Sequence, residues 1–390
     1  MKKVISTENL SIKMWCDDAD EQTMTQAKNL ANLPFAFKHI CLLPDAHAGY
    51  GMPIGGVLAA ENAIVPNAVG VDIGCGMCAV KTNMPVEQFS RKSLNEILDK
   101  IRSLIPSGFN HQKEKQDKNL MPQGFHIDEM VVVQQEYNAA LTQLGTLGGG
   151  NHFIEIQKDE QDIVWIMIHS GSRNIGLKVA EHYNSIAKKI NALLNTPVNP
   201  KADLAFLPVE TKEAQLYFSE MEYCTAFALA NRKLMMQRIQ QVFSDFIHTI
   251  TFGQIINIAH NYAVWEEHFG KMVVVHRKGA TSAKAGETGI IPGSQGTKSY
   301  IVEGLGNPES FMSCSHGAGR VMSRNQAIKN LNLEEEIQKL NTKGIIHSIS
   351  SRKDLDEASS AYKSIDDVMR SQSDLVKIKY ELSPLAVIKG

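Results

Sequence analysis

Apolar positions recur along the chain with two spacings, and these predict an alternation of helices and strands. The helical spacing indicates helices over residues 20–33, 86–105, 176–193, 211–249 (long enough for two) and 320–340. Short continuous runs of apolar residues predict strands over residues 40–43, 54–60, 77–82, 163–168 and 272–275. Helices and strands that alternate in this way indicate a mixed α/β (α+β) fold.

Two segments follow neither spacing. Residues 106–128 are polar and interrupted by prolines and glycines, so this segment is predicted to be a mobile loop. Residues 278–306 contain seven glycines, more than regular secondary structure usually accommodates. We expect irregular backbone arranged around a ligand there.

Length and composition narrow the class of protein. A chain of 390 residues is compatible with two or three domains, or with one large α/β enzyme. The net charge of −2 argues against a generally basic coat for nucleic acid, but it permits a local basic groove. The N-terminus lacks the apolar stretch of a signal peptide, and the longest apolar run, 163–168, is too short to span a bilayer. We therefore predict a soluble, cytoplasmic protein that does not associate with membranes.

Five residues with metal-binding side chains follow apolar runs and stand beside Gly, Asn or Ser. Such loops, held by a rigid scaffold, are where catalytic groups collect. A single histidine is more often a hydrogen-bonded structural residue, but the repeated context favours a buried metal centre. Spacing alone does not prove that these residues converge. The five residues are Asp72, Cys75, His152, His169 and His260.

The chain has six scattered cysteines, and a disulfide framework is not expected. Cys75 and Cys78 form a C-x-x-C pair, which can indicate half of a zinc site or a redox dithiol. No second C-x-x-C is present for a four-cysteine zinc site, and the strand-then-helix context of a redox dithiol is missing. We favour Cys75 as a ligand and Cys78 as a small packed residue.

The segment Ser313–Arg320 contains His316 among glycines and precedes a predicted helix. Backbone N–H groups at a helix N-terminus bind anions, and Arg320 adds positive charge. His316 could there attack a phosphate and carry it as a phosphoramidate. The alternative interpretation is a glycine turn that caps the helix.

Basic residues occur in two groups. Those within residues 91–118 are interleaved with acidic residues and are interpreted as a solvated helix face and loop. Those beside the glycine-rich motifs could hold RNA phosphates. The RNA-binding candidates in this second group are Arg173, Arg320 and Arg324.

Nine motifs, taken together and in order, resemble the RtcB family of RNA-splicing ligases. The resemblance extends from about residue 7 to the C-terminus. The motifs are Pro44–Gly49, Val71–Gly76, Leu144–Glu155, His169–Arg173, His260–Tyr262, Arg277–Ala280, Ile291–Ser294, Ser315–Arg320 and Val387–Gly390.

The resemblance implies a single domain over residues 1–390 with a central dinuclear metal pocket built from strand-end loops. It implies a GTP- and Mn²⁺-dependent ligase of tRNA splicing or RNA repair. Such enzymes join RNA 2′,3′-cyclic phosphate or 3′-phosphate ends to 5′-hydroxyl ends through a histidine–GMP intermediate and an RNA 3′-guanylate.

The same resemblance assigns roles to individual residues. Cys75 would bridge two metal ions, Asp72 and His152 would complete one ligand set, and His169 and His260 the other. His316 would be the nucleophile that takes GMP from GTP. The residues implied to contact GTP or GMP are Asn151, Glu155, Ser294, His316, Gly317, Ala318, Gly319, Tyr362 and Lys389.

Some questions stay open at this point. Thiolate and imidazole ligands would favour zinc by softness, whereas the family implies manganese. Tyr50, Asn174 and Gln295 depart from residues common in the family, and they bear on RNA-end preference. The alternatives to a ligase are a dinuclear metal phosphoesterase, an RNA-binding relative without catalysis, and a nucleotidyl transferase that does not join ends. The natural RNA and the need for an activating protein are not specified by the sequence.

Overall fold

The computed structural model describes residues 1–390 as a mixture of helices and strands. The strands, in chain order, are β1 (Lys3–Ile5), β2 (Ser11–Met14), β3 (Ala36–His47), β4 (Ile54–Ala60), β5 (Ala63–Ile64), β6 (Gly76–Pro85), β7 (Phe153–Lys158), β8 (Ile163–Ser170), β9 (Leu207–Pro208), β10 (Ile256–Ala259), β11 (Asn261–His268), β12 (Lys271–Lys278), β13 (Ala280–Ser282), β14 (Thr288–Ile291), β15 (Ser299–Gly304), β16 (Ser313–Ser315) and β17 (Val376–Lys389).

The helices lie mainly between the strands in sequence, and none combines the length and the apolar character needed to cross a membrane. The α-helices are α1 (Glu21–Ala31), α2 (Pro66–Val69), α3 (Arg91–Leu104), α4 (Val131–Gln143), α5 (Arg173–Leu193), α6 (Lys212–Phe246), α7 (Arg324–Asn330), α8 (Leu333–Thr342) and α9 (Ile365–Ser371). Short 3₁₀ segments are Val86–Gln88, Lys118–Leu120, Ile127–Glu129, Pro200–Ala202, Pro308–Ser310, Arg352–Glu357 and Ser359–Ala361.

Two large sheets organise the chain. One has six strands in the order β1-β2-β3-β4-β12-β11, and the other has seven in the order β10-β6-β8-β7-β17-β15-β14. Their neighbouring strands are antiparallel except for β2 and β3. β10 belongs to the seven-stranded sheet and β11 to the six-stranded sheet, and only His260 separates them. The chain therefore passes from one sheet to the other at a candidate metal ligand.

The mixed α/β class and the predicted strands are confirmed; β4 has its predicted bounds, and the other four strands are longer than predicted. The helical segment 211–249 is one helix, α6, of 35 residues. The prediction of one helix over 320–340 is wrong, because α7 and α8 are separate helices. Asn332 lies between them and caps α8, since its side chain accepts hydrogen bonds from the first turn of that helix.

The expectation that residues 278–306 lack regular structure is wrong, because β13, β14 and β15 lie within them. The glycines are compatible with strands here because neighbouring backbone comes unusually close. A side chain at Gly304 would overlap the backbone of Ala283 and Lys284. The mobility predicted for 106–128 stays a prediction. The segment has only short 3₁₀ turns, and Gln112 N–H donates to the Thr142 carbonyl of α4 (2.8 Å).

Helix α6 lies at the centre of the packing. Its N-terminal half buries Tyr217, Cys224 and Phe227 in an apolar cluster with residues of α4 and α5. Its C-terminal half buries residues such as Met235 and Ile239 in a cluster with α3 and the seven-stranded sheet. The middle of α6 carries a buried polar pair, Asn231 and Arg232.

Arg232 joins three separate loops to α6. Its guanidinium donates to the carbonyls of Gly74 (2.9 Å), Ser170 (2.7 Å) and Ile258 (3.2 Å), and its Nε donates to the Asn257 side chain (2.8 Å). Each of these carbonyls is within two residues of a candidate metal ligand. The buried arginine therefore supplies donors to these backbone carbonyls and fixes the three segments relative to one another.

We expect Arg232→Met to lower the free energy of unfolding by about 3 kcal/mol, because it leaves buried carbonyls without donors. Denaturant unfolding followed by circular dichroism measures the effect. The control is Lys233→Met at the neighbouring exposed position, which should change stability by less than about 0.5 kcal/mol. Equal stability of both variants would contradict the cross-linking role of Arg232.

Candidate active site

Two groups of metal-binding side chains meet at the seam between the two large sheets. One group is Asp72, Cys75 and His152, and the other is Cys75, His169 and His260. Within each group the ligand atoms lie within 4.8 Å of one another, and Cys75 belongs to both groups. The Cys75 Sγ lies 3.5 Å from His152 Nε2 and 3.3 Å from His169 Nε2. The structure thus brings together all five residues that the sequence suggested as ligands.

The strand register explains this convergence. Gly76, the residue after Cys75, pairs with Ser170 of β8 and with Ala259 of β10. Phe153, the residue after His152, pairs with His169. Adjacent strands therefore end at the same level, and their loops deliver ligands to one point. A side chain at Gly76 would overlap the Ile258 carbonyl, so this close pairing requires glycine.

Carbonyl groups set the tautomers of two candidate ligands. His152 Nδ1 lies 3.0 Å from the Leu147 carbonyl, and His169 Nδ1 lies 3.0 Å from the Asn151 carbonyl. Because a carbonyl only accepts, it favours a proton on each Nδ1, which would leave each Nε2 lone pair for a metal ion. This arrangement is typical of metal-bound histidines. His260 differs, since its Nδ1 is buried without a partner. His152 Nε2 also lies 3.2 Å from Asp72 Oδ2.

The protonation states also suit a metal site. Burial lowers the pKa values of His169 and His260 well below their usual range, so both rings are neutral. Burial opposes ionisation of Asp72, but His152 and Arg173 hold its pKa at about 2. Burial and the Asp72 carboxylate raise the pKa of the Cys75 thiol, whereas Arg232 opposes the rise. A bound cation would ionise this thiol outright. The residues therefore fit a dinuclear metal centre.

His316 lies beside the second ligand group, with its ring centroid 4.8 Å from that of His260. Its Nδ1 lies 2.6 Å from Asp45 Oδ2, and that oxygen also accepts from the backbone N–H groups of His316 (3.1 Å) and Gly317 (3.3 Å). The carboxylate holds a proton on Nδ1, which leaves Nε2 as the reactive nitrogen. Asp45 was not among the predicted site residues, although it belongs to the quoted motif Pro44–Gly49.

The expected helix N-terminus directly after His316 is not there. His316 follows β16, and α7 begins only at Arg324, where Ser323 and Gln326 form a capping box. Between them the chain turns at Gly319, whose φ of +74° is a conformation that favours glycine. A side chain at Gly319 would also overlap the backbone of Asp45. The glycines therefore allow the turn to approach Asp45 and do not cap a helix.

The residues suggested for guanylate binding come from two places. Glu155 lies on β7 and Lys389 on the adjoining β17, and Asn151 lies two residues before β7. Lys389 Nζ donates to the Gly150 carbonyl (2.8 Å). Burial raises the pKa of Glu155 to about 8, although Gln157 and Lys389 oppose the rise. Gly317, Ala318 and Gly319 directly follow His316, whereas Ser294 and Tyr362 lie on separate loops.

A buried carboxylate that sequence reasoning missed, Glu357, connects those loops. Its carboxylate accepts from Arg320 Nη1 (2.6 Å), Arg324 Nε (2.7 Å) and the Tyr362 hydroxyl. Its backbone carbonyl accepts from the side chain of Gln295 (3.0 Å), the residue after Ser294. No sequence signal distinguished Glu357, because it stands in a polar stretch with other acidic residues.

The three arginines suggested for RNA binding have different surroundings. Arg320 is mostly buried, and its guanidinium is bonded to Glu357 and to the Asp356 carbonyl (2.6 Å). The Arg324 side chain is 52% exposed, and its guanidinium lies against Gly150. Arg173 lies against Gly148, with Nη1 3.2 Å from His152 Nδ1. Arg173 and Arg324 therefore flank one glycine-rich loop.

Comparison with known proteins gives a consistent family assignment. The family model described as tRNA-splicing ligase RtcB matches residues 26–390. The RNA-splicing ligase RtcB of Escherichia coli K12 is 41% identical over 100% of this chain and 99% of its own length. The chain belongs to the RtcB family. The tRNA-splicing ligase RtcB of Thermococcus kodakarensis is 32% identical over 95% of this chain and 91% of its own, and that of Nanoarchaeum equitans is 32% identical over 98% and 96%.

The three departures from common RtcB residues occupy different environments. The Tyr50 side chain is 75% exposed, and its carbonyl accepts from Lys278 Nζ (2.5 Å). Asn174 donates to Glu136 (3.0 Å), and Gln295 donates to the Glu357 carbonyl. Asn174 and Gln295 therefore have partners within the protein, and only Tyr50 presents its side chain largely to solvent.

We expect Cys75→Ala to lose both bound metal equivalents and His152→Ala to lose one, because only Cys75 belongs to both groups. Equilibrium dialysis against manganese chloride, followed by mass-spectrometric metal analysis, gives the ions bound per chain. The matched control is Cys78→Ala, since Cys78 is buried in an apolar cluster outside both groups. Metal binding by Cys75→Ala equal to that of the wild type would rule out the shared-ligand arrangement.

Proposed function

We propose that this chain is an RNA ligase of tRNA splicing or RNA repair, dependent on GTP and on two Mn²⁺ ions. It joins RNA 2′,3′-cyclic phosphate or 3′-phosphate ends to 5′-hydroxyl ends. The observation that carries the proposal is the Asp45–His316 pair beside two groups of metal-binding side chains that share Cys75. Relatives that share its full length are named RNA-splicing and tRNA-splicing ligases, which supports the same activity.

The metal ions would be held by Asp72, Cys75 and His152 on one side and by Cys75, His169 and His260 on the other. When bound, they would supply positive charge that stabilises developing negative charge on phosphate oxygens. A thiolate and three imidazoles are soft enough to favour zinc, so manganese dependence implies that availability and exchange rate decide the metal. Full activity with zinc alone would argue against the proposed manganese dependence.

The first step follows from the His316 geometry. Asp45 keeps a proton on Nδ1 of His316, so the Nε2 lone pair of His316 attacks the α-phosphorus of GTP. A P–N bond forms, and the bond to the departing pyrophosphate breaks. The ring becomes cationic as it reacts, and the Asp45 carboxylate at 2.6 Å stabilises that charge. Asp45 is thus a positioning residue for the nucleophile.

The next two steps complete the joining. An RNA 3′-phosphate oxygen attacks the phosphorus of the His316 guanylate, the P–N bond breaks, and the lone pair returns to Nε2. The RNA 5′-hydroxyl then attacks the activated 3′-phosphate and loses its proton to solvent, a phosphodiester forms, and GMP departs with the electron pair of the broken P–O bond. A cyclic phosphate must first be opened by water to give the 3′-phosphate.

Guanylate binding is proposed for Asn151, Glu155, Ser294, Tyr362 and Lys389, together with the backbone at Gly317, Ala318 and Gly319. A carboxylate such as Glu155 can accept two N–H groups of guanine, which adenine does not offer in the same pattern. Burial raises the pKa of Glu155 to about 8, and Lys389 opposes that rise, which favours the accepting form of the carboxyl. Glu357 accepts hydrogen bonds from the Tyr362 hydroxyl and from the side chain of Gln295, which follows Ser294. These bonds would fix the positions of Ser294 and Tyr362.

The remaining proposals concern RNA binding, domain organisation and cellular location. We propose that Arg173 and Arg324 contact RNA phosphates and that Arg320, whose donors are already used by Glu357 and Asp356, contributes mainly to the shape of the site. Residues 1–390 would act as one catalytic domain, because both large sheets supply site residues at their seam. We also propose that the protein acts in the cytoplasm and that an activating protein assists it.

We expect the protein to become covalently labelled by α-labelled GTP with manganese, and His316→Ala to abolish the label, because Nε2 forms the P–N bond. Denaturing gel electrophoresis detects the product, and γ-labelled GTP should give none. Asp45→Asn should label at least tenfold more slowly, since the amide cannot stabilise the cationic ring. His182→Ala on α5 is the matched control and should label normally.

The labelling result separates the proposed function from its main alternative. No label on the wild type, with metal content confirmed, would contradict the ligase mechanism. Hydrolysis of a 2′,3′-cyclic phosphate by such an unlabelled protein would instead support a metal phosphoesterase. Label without joined RNA would indicate a nucleotidyl transferase that modifies ends only.

A further inference from the structure

Phe109 is the most exposed large apolar side chain of the protein. Its relative exposure is 102%, whereas Phe246, Trp265 and Phe269 are each exposed by 40% to 42%. Single exposed apolar residues are ordinary on protein surfaces. Phe109 lies beside the candidate active site, so its exposed ring is available to a molecule that binds there.

The backbone on both sides of Phe109 is tied to the glycine-rich loop that precedes His152. On one side, Gly108 N–H donates to the Gly148 carbonyl (2.8 Å), and Leu147 N–H donates to the Pro106 carbonyl (2.9 Å). On the other side, the Gln112 side chain donates to the Gly145 carbonyl (2.9 Å). Phe109 is therefore an aromatic ring whose flanking backbone is hydrogen-bonded to that loop, which limits the entropy lost when it binds a partner.

The charges around this loop favour a polyanion. Arg173 lies against Gly148 and forms no ion pair with a carboxylate, and half-exposed Arg324 lies against Gly150. Lys113, four residues after Phe109, is exposed and also forms no ion pair. Arg324 is paired with Glu357 on one side, but its side chain stays half exposed. An aromatic face beside cationic groups is the combination that binds single-stranded nucleic acid, because bases stack on the ring and phosphates meet the cations. A protein partner would not explain the adjoining cations as directly.

We infer that Phe109 is a stacking platform for a nucleobase of a single-stranded RNA end, while Arg173 and Arg324 face its phosphates. The inference rests on the proposed ligase function, and it names a residue that positions the RNA. Leu147 links the two features, because its N–H donates to the Pro106 carbonyl and its carbonyl accepts from His152 Nδ1. A base stacked on Phe109 would thus have a defined position relative to the loop that precedes His152.

The test compares Phe109→Ala, Phe109→Leu and Phe109→Trp with the wild type. We expect Phe109→Ala and Phe109→Leu to raise the KM for RNA about tenfold with little change in kcat, and Phe109→Trp to restore the wild-type KM. Leucine keeps apolar bulk without a ring face, so it separates stacking from general hydrophobic contact. Phe246→Ala, at the C-terminal end of α6, is the control and should leave the KM unchanged.

A second experiment uses RNA strands that each lack one base. Each of the last two bases of the 3′-phosphate strand and of the 5′-hydroxyl strand is removed in turn, and binding is measured by fluorescence anisotropy. One abasic strand should bind the wild type about tenfold more weakly, and Phe109→Ala should cause no further loss with that strand. Equal loss on every strand, or no loss on any, would overturn the inference.

The outcomes distinguish this inference from the proposed function. Guanylate labelling needs no RNA, so all Phe109 variants should label like the wild type. A labelled Phe109→Ala variant with normal RNA binding overturns the stacking role alone. Absence of label on the wild type contradicts the ligase, while the anisotropy series still decides whether Phe109 binds a base. A variant that changes only the sedimentation behaviour of the protein would assign Phe109 to a protein contact and overturn the inference.

Discussion

The candidate metal centre depends on the hydrogen bonds that the buried guanidinium of Arg232 donates. The guanidinium bonds to the carbonyls of Gly74, Ser170 and Ile258, which lie beside Cys75, His169 and His260. No carboxylate forms an ion pair with it, so its charge is balanced at longer range by the groups at the centre. Burial lowers the pKa of Arg232, and Cys75, Cys78 and Asp72 oppose that fall. Arg232 in turn opposes the rise that burial causes in the pKa of the Cys75 thiol. Fold and metal affinity are therefore coupled through one side chain.

Much of the site could be predicted because catalytic residues at strand ends leave a local pattern. An apolar run followed by Gly, Asn or Ser placed Cys75, His152 and His169 in strand-end positions before any contact was known. Arg232 and Asn231 left no such pattern, since a polar pair inside a long helix looks like a solvated face. Only the packing of α6 against both halves of the core shows that this pair is buried.

Two of the wrong predictions share a physical cause, which is contact between segments distant in sequence. The glycine-rich residues 278–306 form strands because β15 pairs with β17 and β13 pairs with β16, partners that no local window contains. The segment after His316 looked like a helix start, but Gly319 turns toward Asp45, which is far away in sequence. Backbone geometry imposed by remote partners overrides local propensity in both cases.

A second buried charge organises the other half of the site. Although burial opposes its ionisation, Lys389, Arg320 and Arg324 keep the pKa of Glu357 below its usual range. Glu357 joins the loops of Ser294, His316 and Tyr362 through its backbone carbonyl and its carboxylate, as Arg232 joins the metal-binding loops. The same carboxylate fixes the Arg324 guanidinium, which lies against Gly150 in the loop that is hydrogen-bonded to the backbone beside Phe109.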